Sequence, residues 1–152
     1  QPTYPVNSYA IAKDAFRNYI KSSFKQHSLR WCWARIFYPY GPGQNKNSLI
    51  PSLEYAIYHN NSTFSMSSGR QIRDFISVDK VAEVLFTLAL HPRACGTYNC
   101  GSGQPISLRE LAEQYIENHS SSIKLKLGVY PDRVDEPLAF WANMFKYSKL
   151  MG

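Results

Sequence analysis

The sequence predicts an α/β fold, in which helices and strands alternate along the chain. Stretches with apolar residues at steps of three and four, typical of amphipathic helices, alternate with short runs rich in aromatic and β-branched residues. Hydrophobic residues make up 44% of the 152 residues and charged residues 18%, which is typical of a chain that buries a core. The mixed order of the two patterns favours the α/β assignment.

The first third of the chain predicts a helix, a strand, a loop and a second helix. Apolar side chains recur at helical steps from Ser8 to about Gln26. The aromatic-rich run RWCWARIFY, residues 30–38, predicts a buried strand, and the prolines and glycines of PYGPGQ, residues 39–44, predict a loop. A helix follows over residues 48–58, with Pro51 in its first turn, where proline is tolerated.

The middle of the chain predicts two short strands and a helix. The strands are TFSM, residues 63–66, and RDFISV, residues 73–78, separated by the turn SSGR at residues 67–70. Asp79 is expected to cap the helix that follows, which runs to about Leu90.

The last third predicts a strand, a helix and an edge strand. GTYNCGSG, residues 96–103, predicts a strand that runs into a glycine loop. Ser107 and Glu110 have the S-x-x-E spacing of a capping box for a helix over residues 108–119. IKLKLGVY, residues 123–130, alternates as an exposed edge strand does.

The scattered distribution of the basic residues argues against nucleic acid as a partner. The formal net charge is +6, but no two basic residues are adjacent and no nucleic-acid-binding module is recognisable. Two or three well-placed arginines would use the same charge to hold a phosphorylated small molecule.

The sequence predicts neither a membrane span nor a metal site. No apolar run approaches the length that crosses a bilayer. Three cysteines, Cys32, Cys95 and Cys100, form no CxxC pair, and the four histidines fall near predicted helix ends without a cysteine or carboxylate at ligand spacing. We expect a cytoplasmic protein with free thiols.

Tyr9 and Lys13 form a candidate acid/base pair. They are four residues apart, so a helix places both on one face. A phenol titrates near ~10, and an ammonium group nearby stabilises its anion, so that it can move a proton at neutral pH. The spacing alone is also typical of an ordinary surface tyrosine beside a lysine, and the choice depends on the rest of the sequence.

Four blocks of the sequence resemble the extended short-chain dehydrogenases, the NAD-dependent epimerase/dehydratase family acting on sugar nucleotides. The blocks are PTYPVNSYAIAK at 2–13, ARIFYPYGPGQ at 34–44, RDFISVDKVAEVL at 73–85 and GTYNCGSGQPISLRELAE at 96–113. Their order and approximate spacing match the family, and together they span most of the chain. The resemblance implies a Rossmann-type fold and NAD or NADP as cofactor. It also implies a nucleotide-sugar substrate that is oxidised, reduced, epimerised or dehydrated, with C4 as the expected position.

The resemblance implies roles for nine residues. Tyr9 would be the catalytic acid/base, and Lys13 would bind the nicotinamide ribose and stabilise the tyrosine anion. Tyr38 and Tyr40 would border the cofactor, although Tyr38 stands where the family usually has asparagine. The substrate-binding residues would be Arg73 and Arg133, on the diphosphate, together with Leu49, Ile50 and Asn99.

The resemblance also implies how the chain is divided. Residues 1–45 would form the end of the Rossmann-type domain, and residues 46–152 mainly the sugar-nucleotide-binding region, with Rossmann elements returning near 70–100. The glycine-rich G-x-x-G-x-x-G of the family does not occur in the sequence, so we expect the N-terminal cofactor-binding half to be missing. An isolated fragment is then expected to be inactive.

One alternative function and one assembly stay open at this stage. The chain could instead be a non-catalytic module that binds sugar nucleotides or another protein and has no cofactor site of its own. In the family, the helix that carries the tyrosine and lysine often forms a homodimer. Phe16, Tyr19 and Phe24 would suit that contact, or packing on a sheet.

Overall fold

Helices and strands alternate along the chain, as the sequence predicts. The computed structural model describes residue 5, residues 7–133 and residues 136–152. In chain order the elements are α1 (Ser8–Gln26), β1 (Cys32–Ile36), β2 (Tyr38–Tyr40), α2 (Leu49–Tyr58), β3 (Thr63–Ser65), β4 (Ile72–Ser77), α3 (Val78–Leu90), β5 (Gly96–Cys100), β6 (Pro105–Ser107), α4 (Leu108–Asn118), β7 (Lys124–Lys126) and α5 (Phe145–Met151).

The strands pair mostly in parallel, as expected for an α/β protein. β1 pairs with β5, β2 with β4, and β3 with β7, all in parallel, while β6 joins the other part of β4 in an antiparallel pair. Helices connect most of the parallel partners, because a parallel pair needs a crossover connection.

The prediction of one buried strand over residues 30–38 followed by a loop is wrong in two respects. The strand breaks at Phe37, and pairing transfers from β5 to β4, so Pro39 and Tyr40 are extended and face Ile76 and Ser77. Tertiary pairing thus overrides the turn preference of proline. β1 is also only partly buried, because within the described chain it pairs along one edge, with β5.

The core of the protein consists of two hydrophobic clusters. The first lies between the longer strands, α3 and α5, and contains Ile76, Val84, Leu88, Ala94, Tyr98 and Cys100. The second lies between α2, α4 and the β3–β7 pair, and contains Leu53, Ala56, Met66, Ala112 and Ile123. α1 contributes no buried residue; its Phe16 meets Trp33 edge to face, with ring centroids 6.1 Å apart.

Side-chain caps mark the starts of α1, α3 and α4, and one of the two caps predicted from the sequence is confirmed. The Ser107–Glu110 capping box is formed in both directions at the start of α4. The cap of α3 is Ser77, whose hydroxyl accepts from the Lys80 amide, so the prediction of Asp79 as the cap is wrong. Asp79 lies in the first turn instead, where a carboxylate still interacts favourably with the helix dipole. The C-caps of the four longest helices are the four histidines, His27, His59, His91 and His119.

β6 and α5 have no counterpart in the sequence-based assignment. Each is short, and contacts with distant residues define both. The ammonium of Lys146 on α5 donates to the carbonyl oxygens of Cys95 and Thr97 at 2.9 and 3.0 Å and lies 3.9 Å from the ring centroid of Tyr98. These contacts hold α5 against β5, which local propensity alone does not predict.

The buried carboxylate of Asp74 ties β4 to two other segments. Its exposure is 0%, and it accepts hydrogen bonds from the amide and hydroxyl of Ser102, from the Gly103 amide and from the Ala142 amide, at 2.6–3.0 Å. The approach is so close that a Cβ built on Gly101 would lie 2.6 Å from the Asp74 oxygen. Glycine at 101 therefore lets the loop after β5 reach the carboxylate.

A second carboxylate, Asp132, holds the segment that leads to Arg133. It accepts from the amide and hydroxyl of Ser68 at 3.1 and 2.6 Å and from the Gln71 amide nitrogen at 3.2 Å. These bonds, the Ser68 hydroxyl foremost, lower the pKa of Asp132. The turn between β3 and β4 is thereby fastened to residues 131–133.

Replacing Asp74 by alanine should destabilise the fold strongly. Asp74→Ala leaves several buried donors without an acceptor, so we expect the free energy of unfolding to fall by at least about 2 kcal/mol. Urea denaturation followed by circular dichroism measures this. The exposed control Asp79→Ala should change stability by less than about 1 kcal/mol, and an equal loss in both variants would contradict the role of Asp74.

Asp132 should make stability depend on pH in acid. A carboxylate whose pKa is lowered on folding stabilises the protein above its unfolded pKa, near ~3.9, and this stabilisation is lost as the pH falls through the folded pKa. Asp132→Asn should therefore reduce the loss of the urea midpoint between pH 6 and pH 3. Ser68→Ala, which removes the strongest donor, should reproduce part of the effect. Identical pH profiles for all three proteins would contradict this.

Candidate active site

One cleft gathers five of the residues that the sequence singled out. It has a volume of about 730 Å³ and lies between β2, the start of α2, the β3–β4 region and four residues near the end of the chain, Tyr130, Pro131, Arg133 and Glu136. The five residues in its lining are Tyr38, Leu49, Ile50, Arg73 and Arg133. They come from four separate parts of the chain, and folding brings them together.

Arg73 forms part of the cleft wall and is held mostly by the protein itself. Its exposure is 2%. Nε donates to the Tyr38 hydroxyl at 3.1 Å, and Nη1 donates to the carbonyl oxygens of Ile72 and Leu138 at 2.9 and 3.2 Å. The guanidinium also lies 4.9 Å from the ring centroid of Phe140. Its direct contact with a phosphate stays a prediction.

Glu136 joins Arg73 to Arg133 across the cleft. One carboxylate oxygen accepts from Arg73 Nη2 at 2.9 Å and the other from Arg133 Nη1 at 2.8 Å. The hydrogen bond from Arg133, followed by that from Arg73, lowers the pKa of Glu136, and the same contact raises the pKa of Arg133. The Arg133 side chain is 80% exposed, in contrast to Arg73.

Sequence reasoning missed Glu136, Gln71 and Asp132. Gln71 lies two residues before Arg73 and is buried. Its side-chain N–H group donates a hydrogen bond to Asp132, which leaves the side-chain carbonyl oxygen as its other polar atom. Within the described residues this buried oxygen has no hydrogen-bond partner, and Gln71 lines the cleft. No local pattern marks Gln71 and Asp132, because they pair with each other from positions more than sixty residues apart. Glu136 likewise meets Arg73 from more than sixty residues away. The acidic residue three positions after Arg133 was the one available signal.

Tyr9 and Lys13 share one face of α1, as their spacing predicts. The Lys13 ammonium lies 5.8 Å from the ring centroid of Tyr9, and the Tyr9 side chain is 71% exposed. Lys13 lines a smaller pocket of about 280 Å³, together with Arg17 and Arg35. Neither residue lines the cleft of Arg73 and Arg133. Within the described chain, Tyr9 and Lys13 thus lie outside the cleft that Arg73 and Arg133 line, and their acid/base role stays a prediction.

Tyr40 and Asn99 also lie outside that cleft. Tyr40 lines a larger pocket of about 1020 Å³ formed by β4, α4 and α5, which adjoins the cleft at Ile50 and Phe75. The Asn99 side chain donates to the Asn143 carbonyl oxygen at 2.9 Å and so joins β5 to the segment before α5. Their assigned roles next to the cofactor and the substrate stay predictions.

Other chemistry is limited in the part of the chain that is described. No group of three or more histidine, cysteine or acidic residues there could hold a metal ion. No helix of that part combines the length and the apolar character needed to cross a membrane. The three cysteines carry free thiols, and burial raises the pKa of Cys32 and Cys100.

Comparison with known families gives a match over two thirds of the chain. The model of the NAD dependent epimerase/dehydratase family matches residues 1–101. The chain is 31% identical over 143 residues to dTDP-6-deoxy-L-talose 4-dehydrogenase (NAD(+)) of Aggregatibacter actinomycetemcomitans, covering 92% of this chain and 52% of that protein. It is 30% identical over 151 residues to CDP-abequose synthase of Salmonella typhimurium, covering 95% of this chain and 50% of that protein.

The fold agrees with this match. UDP-N-acetylglucosamine 4-epimerase from Methanobrevibacter ruminantium, solved in complex with UDP-N-acetylmuramic acid, superposes with a TM-score of 0.81 at 24% identity, covering 100% of this chain and 52% of that one. This chain spans about half the length of the curated relatives that it matches. The sequence match and the Rossmann-type α/β architecture lead to one conclusion: the chain belongs to the NAD-dependent epimerase/dehydratase family.

Proposed function

We propose that this chain provides the acid/base pair and the nucleotide-sugar cleft of an NAD(P)-dependent enzyme that modifies a nucleoside-diphosphate hexose at C4. The observation that carries the proposal is the gathering of two arginines, Arg73 and Arg133, in one cleft of a chain that belongs to this family. The relatives named above act on dTDP-, CDP- and UDP-linked sugars. The nucleoside diphosphate is what these substrates share.

The cleft suits a nucleoside diphosphate in both charge and polarity. A diphosphate carries negative charge and acceptor oxygens, which match an exposed guanidinium such as that of Arg133. Leu49, Ile50 and Phe64 supply apolar wall for a flat base. The unpaired carbonyl oxygen of Gln71 can accept a hydrogen bond from an N–H or O–H group of the ligand.

Tyr9 and Lys13 would move the proton at the sugar hydroxyl. Oxidation of a secondary alcohol removes the hydroxyl proton, and the tyrosine phenolate accepts it; in reduction the phenol returns it. The Lys13 ammonium, on the same face of α1, stabilises the phenolate electrostatically. The pair is exposed here, and any partner that excludes water from it would strengthen this effect.

Lys13 and the pocket around it suit the ribose at the nicotinamide end of the cofactor. The exposed Lys13 ammonium is a suitable donor to ribose hydroxyl groups, and Lys13 lines a pocket that also contains Arg17 and Arg35. NAD or NADP would supply the hydride acceptor or donor. Because the glycine-rich fingerprint does not occur in the sequence, we assign no residue of this chain to the cofactor diphosphate.

The two hydrophobic clusters support the proposed division of the chain near residue 45. The first cluster combines Ala34 with residues of β4, α3 and β5, which agrees with Rossmann elements returning near 70–100. The second cluster draws on α2, β3, α4 and β7, which would form the sugar-nucleotide region. Exposed apolar residues of α1, including Ile11, Phe16 and Tyr19, are available for the homodimer or for packing against another part of the enzyme.

The alternative is a module that binds the sugar nucleotide without catalysis. It is favoured by one observation, the separation of the Tyr9–Lys13 pair from the cleft within the described chain. In any longer protein that carries this chain, binding of a nucleoside diphosphate together with no affinity for NADH would support the module over the enzyme.

Arg133 should contribute to nucleotide binding. In isothermal titration calorimetry with UDP, dTDP and CDP, Arg133→Ala should weaken the Kd of the best ligand about tenfold or more, because a charge-assisted hydrogen bond to phosphate is lost. The control is Arg109→Ala, another exposed arginine paired with a glutamate along the chain but outside the cleft. Equal affinities for the two variants would refute the assignment of this cleft.

Tyr9 should be essential for turnover in any enzyme that carries this chain. Tyr9→Phe removes the group that exchanges the proton, so kcat for the sugar nucleotide should fall at least about 100-fold, with KM little changed. Formation or loss of NAD(P)H absorbance measures this. Tyr19→Phe, on the same helix and similarly exposed, should retain wild-type kcat. A Tyr9→Phe enzyme with full turnover would show that the acid/base lies elsewhere.

A further inference from the structure

The carboxylate of Glu136 bridges the two arginines that line the cleft. Its oxygens lie 2.9 Å from Arg73 Nη2 and 2.8 Å from Arg133 Nη1. The Glu136 side chain is 34% exposed and itself lines the cleft. A negatively charged group with two acceptor oxygens therefore already lies between the guanidinium groups.

The directions of the Arg73 donors decide how an anion could reach it. Nε donates to the Tyr38 hydroxyl, and Nη1 donates to two backbone carbonyl oxygens. The fold holds these three acceptors in place. Nη2 is the donor that meets Glu136. These contacts use four of the five N–H groups of a guanidinium, and the fifth is also on Nη2. An anion that enters the cleft and binds Arg73 therefore approaches the nitrogen that already meets Glu136, and it competes with that carboxylate.

The charges of the cleft also favour replacement of the Glu136 carboxylate by the anionic ligand. Two guanidinium groups and one carboxylate leave a formal charge of +1, and the hydrogen bonds that lower the pKa of Glu136 keep it ionised at neutral pH. A diphosphate that approaches with Glu136 in place meets both attraction and like-charge repulsion. If the carboxylate moves aside, the ligand meets the full charge of both arginines.

We propose that Glu136 is an internal stand-in for the ligand's diphosphate: it occupies the anion position between Arg73 and Arg133 and is displaced when the nucleotide binds. This rests on the proposed function, because it takes the cleft to be the diphosphate site. Glu136 thereby compensates the buried charge of Arg73 in the free protein, where an unpaired buried cation is costly. It also limits the affinity for anionic ligands, which favours release of a charged product.

The test compares charged and uncharged ligands in wild-type protein and in Glu136→Gln. Calorimetry with inorganic pyrophosphate, UDP and uridine should give at least about tenfold tighter binding of pyrophosphate and UDP to the variant, and an unchanged affinity for uridine. The control Glu113→Gln removes the carboxylate of an arginine pair outside the cleft and should leave all three affinities unchanged. In Glu136→Gln combined with Arg133→Ala, most of the gain should disappear.

Each possible result of these binding measurements either supports or overturns the stand-in role of Glu136. Weaker or equal binding of pyrophosphate and UDP by Glu136→Gln, with binding by the wild type, overturns the stand-in role and leaves the proposed cleft intact. No binding of either ligand by wild type and variant overturns both. Tighter binding of uridine as well would mean that the substitution reshapes the cleft, and would also overturn the proposal.

A second measurement covers loss of stability in the variant. Without ligand, Glu136→Gln should have a lower Tm than wild type, because buried Arg73 loses its counter-ion, and pyrophosphate should raise its Tm more than that of wild type. If the variant does not fold, Glu136→Asp provides the comparison. Its shorter carboxylate reaches the arginines less well, and its affinity for pyrophosphate should exceed that of wild type. An affinity at or below that of wild type would contradict the proposal.

Discussion

The burial of two consecutive charged side chains on β4 is the constraint on which the rest of the structure depends. Arg73 and Asp74 are both almost inaccessible to solvent, and neighbouring residues of a strand point to opposite faces. Each therefore needs its own set of partners, since a buried charge without them is strongly destabilising. Asp74 obtains them from the glycine loop and Ala142, and Arg73 from Tyr38, Glu136 and carbonyl oxygens.

These requirements fix the course of the chain after β7. The segment is fastened by Asp132 to the β3–β4 turn, by Glu136 to Arg73, and by the Ala142 amide to Asp74. Backbone hydrogen bonds between Ile72 and residues 138 and 140 add to this. Because each attachment is on or next to β4, the segment closes one side of the cleft and carries Arg133 to its edge. The polar contacts that hold the fold together thus also shape the cleft.

The candidate site consists of two surfaces with different requirements. The arginine cleft is formed completely by contacts within the described chain, and charge and shape there suit an anionic ligand. The Tyr9–Lys13 pair lies on α1, which contributes no buried residue, and its exposure leaves both groups well solvated. Proton transfer is favoured when water is excluded and the ammonium acts through a low dielectric. The cleft is therefore formed by contacts within the described chain, whereas the acid/base role that we propose for Tyr9 and Lys13 would gain most from a covering partner.

The sequence by itself determined the order of the longer helices and strands and the Ser107–Glu110 capping box of α4. It also determined that Tyr9 and Lys13 share one face of a helix, and it identified the family. All of these follow from patterns a few residues long or from ordered motifs. Such patterns can be recognised in a sequence because helix periodicity and helix capping depend on residues only a few positions apart. Only the tertiary structure decided that the strand after residue 30 changes partner at Phe37, that α5 forms, and that Glu136 bridges Arg73 and Arg133. It also decided that Tyr40 and Asn99 do not line the cleft of Arg73 and Arg133. The physical reason is that these features depend on contacts between residues dozens of positions apart. Burial and charge compensation decide which residues pair, and neither produces a pattern in the local sequence.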